Sequence, residues 1–410
     1  MTTIYYENWP VARLADQDGL SLAYDAAWKQ RASAFPLSLT MPLRAGSHGP
    51  EQVMPWLANL LPETHLSEIG QQLKVSPQDI LGLLMRVGRD TAGAFSIGEP
   101  RREGNNFRIV DDEAALERII DELPERPFLI GERGVSMSLA GVQDKLPVYI
   151  GTDGRIGIPL DGTPSTHILK PDIKRLAGSV TNEAFCMILA RLCGLDAAEV
   201  EIGRAGKRDY LLVRRYDRVA DGQGIIRRIH QEDFCQLLGL FPAEKYEQTG
   251  LGRRGGASLP QMFEALARLV SPAERLRLLD AVIFNILIRN SDSHAKNYSV
   301  LVGASGTARL APLYDLMCAA PYRRVDQSLP QTLAGKRNAD ELHGKDWRQF
   351  ATDVGLSPAA VTRRVEELAA LVAAKADEAL EQVLSYPEFG SSLVFLVKKR
   401  CRRIERQISG

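Results

Sequence analysis

An aspartate and an asparagine five positions apart, set between an apolar helix and a hairpin, constrain this chain more than any other feature. The run Asn290-Ser291-Asp292-Ser293-His294-Ala295-Lys296-Asn297 follows the apolar stretch from Ala281 to Ile288, which reads as a helix. It precedes Tyr298 to Val302, which reads as a strand. A turn over Gly303 to Gly306 leads to a second strand and then to Leu313-Tyr314-Asp315. Phosphoryl transfer from a nucleotide needs such an order. One carboxylate, here Asp292, accepts the proton of the attacking hydroxyl, while Asn297 and Asp315 offer hard oxygen ligands suited to magnesium. Taken singly, each residue also reads as a turn former or a helix cap. The succession of helix, Asp-x4-Asn loop, hairpin and aspartate favours the chemical reading.

Such a site needs a lysine on a strand to grip phosphates and an acid on a helix to orient it. Thr166-His167-Ile168-Leu169-Lys170 reads as the strand with its lysine, and Glu183, near the start of the next helix, as the partner. A strand-end lysine and a first-turn acid serving the helix dipole are the structural alternatives. Upstream, Ser138-Leu139-Ala140-Gly141-Val142-Gln143-Asp144-Lys145 places a glycine between two strands with a lysine four positions on. Backbone N–H groups there can cradle phosphate, although the segment has neither the Walker pattern nor a triple-glycine loop and also reads as a plain hairpin turn.

Around these motifs the periodicity predicts strands over residues 1 to about 45, with Leu37, Leu39, Met41 and Leu43 alternating. Helices follow from Pro50 to Arg89, one of them starting at Ser76-Pro77, then a hairpin from Gly93 to Val110 and a helix from Asp111 to Leu123. Pro124 and Pro127 suggest a linker. Beyond it, strands lead through a helix at Asn182 to Leu195 to Tyr216, and helices dominate after His230. Ser271-Pro272-Ala273-Glu274 reads as a capping box and Ser357 to the end as a helical, basic tail with a solvated face. Strands first and helices later predict an α+β, two-lobed protein-kinase-like fold with an additional N-terminal α/β subdomain: residues 1–125, a lobe over 126–216 and a helical lobe over 217–410.

Composition narrows the setting. Lys+Arg and Asp+Glu both number 51, so no whole-molecule field draws the chain to nucleic acid or membrane. Five scattered cysteines without a Cys-x-x-Cys pair argue against a disulfide framework or structural zinc, and for a reducing cytoplasm. No secretory leader and no membrane-spanning run is expected.

Six ordered motifs together resemble the HipA family of kinase toxins: Ser138 to Lys145, His167-Ile168-Leu169-Lys170, Arg215-Tyr216-Asp217-Arg218, Gln231-Glu232-Asp233-Phe234-Cys235-Gln236, Asp292 to Asn297, and Tyr314-Asp315. Thr40-Met41-Pro42-Leu43-Arg44, Asn59-Leu60-Leu61-Pro62-Glu63 and Gly88-Arg89-Asp90 agree, so the resemblance runs from about Leu39 to Asp315. It implies a serine/threonine-protein kinase using ATP and Mg2+. Ala140, Gly141, Val142, Gln143, Asp144 and Lys145 would line the phosphates with Lys170, and Arg214, Arg215 and Tyr216 would form the adenine hinge. Asp292 would be the catalytic base, with His294, Ala295, Lys296, Asn297, Tyr314 and Asp315 around nucleotide and metal. Arg214 departs from the acidic residue of the best-known members, which puts a side-chain role there in doubt. Ser138 matches a self-phosphorylated serine. The resemblance further implies a helix-turn-helix antitoxin of the HipB type, operator DNA reached through it, and an aminoacyl-tRNA synthetase as the protein substrate. Nucleoid association would follow from that complex. A small-molecule phosphotransferase and a transcriptional co-repressor with a vestigial kinase site are the alternatives.

Overall fold

The computed structural model describes all residues except 17–18, 103, 249–254, 384–386 and 410. The chain forms two compact units. The first comprises Met1–Pro171, Gly203–Pro242 and Val300–Ala308; the second comprises Asp172–Ile202, Ala243–Ser299 and Arg309–Gly410. The fold is α+β, as expected.

The first unit is built on two antiparallel sheets. One runs in the order Ser21–Tyr24, Trp9–Ala15, Thr2–Tyr6, Phe95–Ile97. Ile4, Val11, Leu14 and Leu22 of this sheet are buried, as are Trp28, Trp56 and Phe95. The second runs Phe107–Ile109, Ile156–Pro159, Leu146–Ile150, His167–Pro171, Arg208–Arg214, and residues 203–205 continue it at the far edge. Leu146 and Leu211 flank Leu169 and Lys170 in its middle.

A cluster of buried ions joins the connections of this unit. Asp90 meets Arg218 at 2.9 Å, Arg228 at 3.4 Å and Arg215 at 3.6 Å. Asp217 meets Arg215 at 2.7 Å and Arg218 at 2.9 Å. Gly93 seats its N–H on Asp217 at 2.8 Å and its carbonyl on Arg218 at 2.9 Å. At φ +81°, with His230 and the Gln231 backbone beside it, this position suits glycine alone.

The second unit is mostly helical. Helix Pro358–Glu381 repeats buried residues at Val361, Val365, Leu368, Val372, Ala376 and Ala379, the stripe of a helix packed along its length, and it lies against Pro387–Ser409. Arg364 grips Asp280 of helix Pro272–Leu287 with two bonds of 2.7 and 2.9 Å.

Several local expectations need correction. The alternating apolar residues from Leu37 to Leu43 are not a strand. They form turns held by Tyr24, whose hydroxyl accepts from Leu37 N–H and donates to Met41 C=O. Ser76-Pro77 starts no helix; the helix is Ile80–Val87, capped by Asp79 on Gly82 N–H. Residues 93–110 are not one hairpin, because Phe95–Ile97 and Phe107–Ile109 belong to different sheets. Ser271 precedes Pro272 without a side-chain cap bond, and Glu274 accepts from Leu310 N–H and Arg277 instead of closing a capping box. The basic tail is only partly solvated: Arg400 is buried and bonded to Asp340 at 3.0 Å.

Burial alone would raise the Asp90 pKa, but Arg218, Arg215 and Arg228 bring it down from 3.8 to about 2. A carboxyl whose folded pKa lies below its unfolded value stabilises fully above the unfolded value and loses that contribution as the pH falls toward the folded one. Asp90→Asn is therefore expected to lower urea-unfolding stability at neutral pH by about 3 kcal/mol or more, since it strands buried guanidinium charge. The variant should also lack the share of acid destabilisation that Asp90 contributes between pH 3.8 and about 2.

Candidate active site

Helix Pro272–Leu287 delivers the Asp-x4-Asn loop, and three asparagine amides hold that loop in place. Asn285, on the last turn of the helix, donates to Tyr298 Oη at 3.0 Å and accepts from Asn290 Nδ2 at 2.9 Å. Asn290 in turn takes Asp292 N–H on its Oδ1 at 3.0 Å and donates to the Asp315 carbonyl at 3.3 Å. Asn297 closes the loop by donating its Nδ2 to the Asp292 carbonyl at 2.8 Å. Uncharged amides thus fix the backbone here.

Asp292 leaves most of its side chain exposed, at 60%. Asp315 sits at φ +53°, in the left-handed region that costs a non-glycine residue backbone energy. Arg289, just before the loop, is also left-handed at φ +58° and accepts from Ala319 N–H at 3.0 Å. Helix Ser179–Leu192 is tied to the segment after Asp315 by a reciprocal pair: Asn182 donates to Cys318 C=O and accepts from Cys318 N–H, both at 2.8 Å. Glu183 follows on that helix. It is buried and lies beyond the first turn, so it is no dipole-capping acid.

His294 is buried, and burial, then Lys245 and Lys296, push its pKa well below the ordinary value. Its Nε2 lies 3.8 Å from Asp292, but a neutral ring at this separation makes no ion pair. Tyr314 spends its hydroxyl on the Lys296 carbonyl at 2.6 Å, which steadies Ala295–Asn297 from behind. Tyr246 was not foreseen. Its hydroxyl donates to Asp292 Oδ1, and its ring meets His294 edge-on at 5.0 Å. Its neighbours are pinned: Lys245 C=O accepts from Ala295 N–H at 3.1 Å, and Glu247 N–H donates to Pro330 C=O at 3.0 Å. No local motif announces this residue, because it lies 46 positions from Asp292.

The first unit assembles the remaining candidates. Lys170 is buried in the middle of the second sheet, and Gln143 reaches the neighbouring Pro171 carbonyl at 3.1 Å. Gly141 has φ +110°, and Lys145 folds back to donate to Ala140 C=O at 2.5 Å. The segment over 140–145 is thus an irregular loop rather than a tight hairpin turn. Arg214 ends its strand exposed, opposite His167. Arg215 is different: its guanidinium is committed to Asp217, Asp90, Ser165 and Thr91 and its N–H to Thr166 C=O at 2.9 Å, so its side chain is not offered to a ligand. Tyr216 donates its hydroxyl to Gln231, whose amide reaches Asp217 at 3.1 Å. Ser138 is buried, donating to the Leu60 carbonyl at 2.8 Å.

An α+β chain with this loop, hairpin and strand lysine defines a recognisable class. Residues 137–376 match the family described as the HipA-like C-terminal domain, and residues 2–98 match the HipA N-terminal domain. The chain belongs to the HipA family. It is 39% identical over 359 residues to the Y4mE protein of Sinorhizobium fredii, covering 85% of this chain and 84% of that one. It is 33% identical over 356 residues to the serine/threonine-protein kinase toxin HipA of Shewanella oneidensis, covering 83% and 80%. The solved Shewanella oneidensis complex of HipA, HipB and operator DNA contains a chain that superposes with a TM-score of 0.86 at 26% identity, covering 100% of this chain and 98% of that one.

Removing the phenol O–H that Asp292 accepts is expected to lower phosphoryl transfer roughly tenfold, the size of a charge-assisted hydrogen bond. Steady-state kinetics of Tyr246→Phe should show this in kcat, with KM for ATP unchanged.

Proposed function

We propose that this chain is a serine/threonine-protein kinase toxin that transfers the γ-phosphoryl group of ATP to a serine of a protein. One observation carries the reading. Asp292, Asn297 and Asp315 share a single hydrogen-bonded frame centred on Asn290, with Asp292 open to a substrate. The substrate hydroxyl gives its proton to Asp292 while its oxygen bonds to the γ-phosphorus. The bond from that phosphorus to the β–γ bridging oxygen breaks, and ADP departs with the electron pair.

Asn297 and Asp315 would hold magnesium, which neutralises phosphate charge when bound. The donor set fits: Asn297 turns its Nδ2 to the Asp292 carbonyl, which leaves Oδ1 as the atom for a hard cation. Lys145, Lys170 and the backbone of 140–145 would receive the phosphates, and the backbone of Arg214 to Tyr216 the adenine. A buried neutral His294 would add no charge beside the nucleotide.

Likeness to the Shewanella toxin and its complex supports the wider role. The protein target would be an aminoacyl-tRNA synthetase, whose modification stops translation and growth. A helix-turn-helix antitoxin of the HipB type would neutralise the chain and join it to operator DNA. Phosphorylation of Ser138 would switch it off, and the setting would be the bacterial cytoplasm. Among the described residues, no helix is long and apolar enough to cross a membrane.

Asp292→Asn is expected to keep its fold and ATP affinity but to lose at least ~10²-fold in transfer rate, measured with radiolabelled ATP. Transfer at wild-type speed would refute the assignment. Calorimetry should also find that Asp315→Ala loses the magnesium dependence of ATP binding. A variant that binds the magnesium nucleotide as well as wild type would refute the metal ligands.

A further inference from the structure

Residues 60–65 run alongside residues 138–144 and touch them four times within the first unit. Ser138 Oγ donates to Leu60 C=O at 2.8 Å. Glu63 N–H donates to Gly141 C=O at 3.3 Å, and Thr64 Oγ1 to Val142 C=O at 3.2 Å. His65 Nε2 then meets Asp144 Oδ1 at 3.3 Å. The contacts keep sequence order on both sides, as two segments laid parallel do. They are not helix or sheet bonds, and together with the Gln143 bond to Pro171 C=O they fix an otherwise irregular loop. His65 adopts φ +63°, a left-handed backbone that turns the chain into helix Leu66–Leu73 directly after the last contact. A strained, non-glycine residue is thereby placed at the end of the row.

We propose that Leu60–His65 is a brace that holds the 138–144 loop in its phosphate-binding shape, with the His65–Asp144 pair as its clasp. This rests on the reading of 140–145 as the phosphate loop of a kinase. The brace acts through backbone carbonyls of Gly141 and Val142. Pulling those two oxygens toward 63 and 64 turns the carbonyls of the loop away from a bound anion, which carbonyl oxygens would repel. His65, Thr64 and Glu63 are therefore positioning residues, since they act through the loop that they touch. The same row covers Ser138, whose hydroxyl points at Leu60. A kinase can modify that serine only after the row has parted at its first contact, so the brace that favours ATP binding also shields the self-inactivation site.

Amide hydrogen exchange on the nucleotide-free full chain tests the brace without reference to activity. In His65→Ala, and independently in Asp144→Asn, amides of residues 139–144 should exchange about tenfold faster, the effect of losing one partly buried polar contact. Global unfolding stability should stay close to that of wild type. The double variant His65→Ala/Asp144→Asn should exchange no faster than either single one, because both remove the same pair. In kinetics, His65→Ala should raise KM for ATP severalfold with kcat at saturation little changed, and phosphate should accumulate sooner on Ser138. His65→Gln, which keeps a donor, should restore much of the protection. Unchanged exchange over 139–144 in both single variants would overturn the brace. Faster exchange in a protein that never binds ATP, wild type included, would keep the brace and refute the kinase reading instead.

Discussion

The ion cluster of Asp90, Asp217, Arg215, Arg218 and Arg228 is the constraint on which the first unit depends. Each of these side chains is at most 3% exposed. Burying five charges carries a desolvation penalty that only near-complete pairing offsets, and an isolated member would be strongly destabilising. The cluster therefore tolerates one arrangement. It fixes Asp90 and Gly93 from the N-terminal segment against residues 215–218, which include the candidate adenine hinge. Its reach extends by backbone: Asp90 N–H donates to Ser136 C=O at 3.1 Å, and Ser138 N–H to Asp90 C=O at 3.0 Å. One buried aspartate thus links residues 215–218 to the start of the 138–145 segment.

The second unit solves a different problem by different chemistry. The loop that carries Asp292 is tied down through side-chain amides. Asn285, Asn290, Asn297 and Asn182 do the holding, since an amide both donates and accepts without carrying charge. The left-handed backbone at Arg289 and Asp315 shows the strain this frame sustains at the site. Tyr246 adds a hydroxyl donor to Asp292 Oδ1.

The legible part of the chain was the part whose physics is local. The helix, the short loop and the hairpin around Asp292 and Asn297 were readable because chain connectivity alone places them. The helices Pro272–Leu287 and Pro358–Glu381 were readable from their proline starts and apolar periods. Alternation misled at Leu37 to Leu43, where buried residues line turns rather than a strand, because Tyr24 from another strand supplies the hydrogen bonds. Ser76 and Ser271 carry the right residue types for caps, yet Asp79 caps one helix and Glu274 is drawn away to Leu310. Arg215 looked like a ligand residue in its motif, and only the fold reveals Asp90, 125 positions earlier, as its partner. Tyr246 and the row from Leu60 to His65 are likewise long-range pairings that no spacing in the sequence encodes.

Together these contacts make the buried state of Ser138 a consequence of the same elements that shape the loop. Its N–H is held through Asp90 by the ion cluster, and its hydroxyl through Leu60 by the parallel row. Breaking the first set would strand buried charge, whereas breaking the second gives up only neutral hydrogen bonds, one of them buried, and one surface-near pair. The weaker set must therefore part first. A loop released on that side alone stays anchored at residue 136 and swings from there. Ser138 thus lies next to the point from which the 138–144 segment would swing. A phosphate placed there would stop the loop from closing back onto Leu60, because a doubly charged group cannot occupy the buried space its hydroxyl leaves.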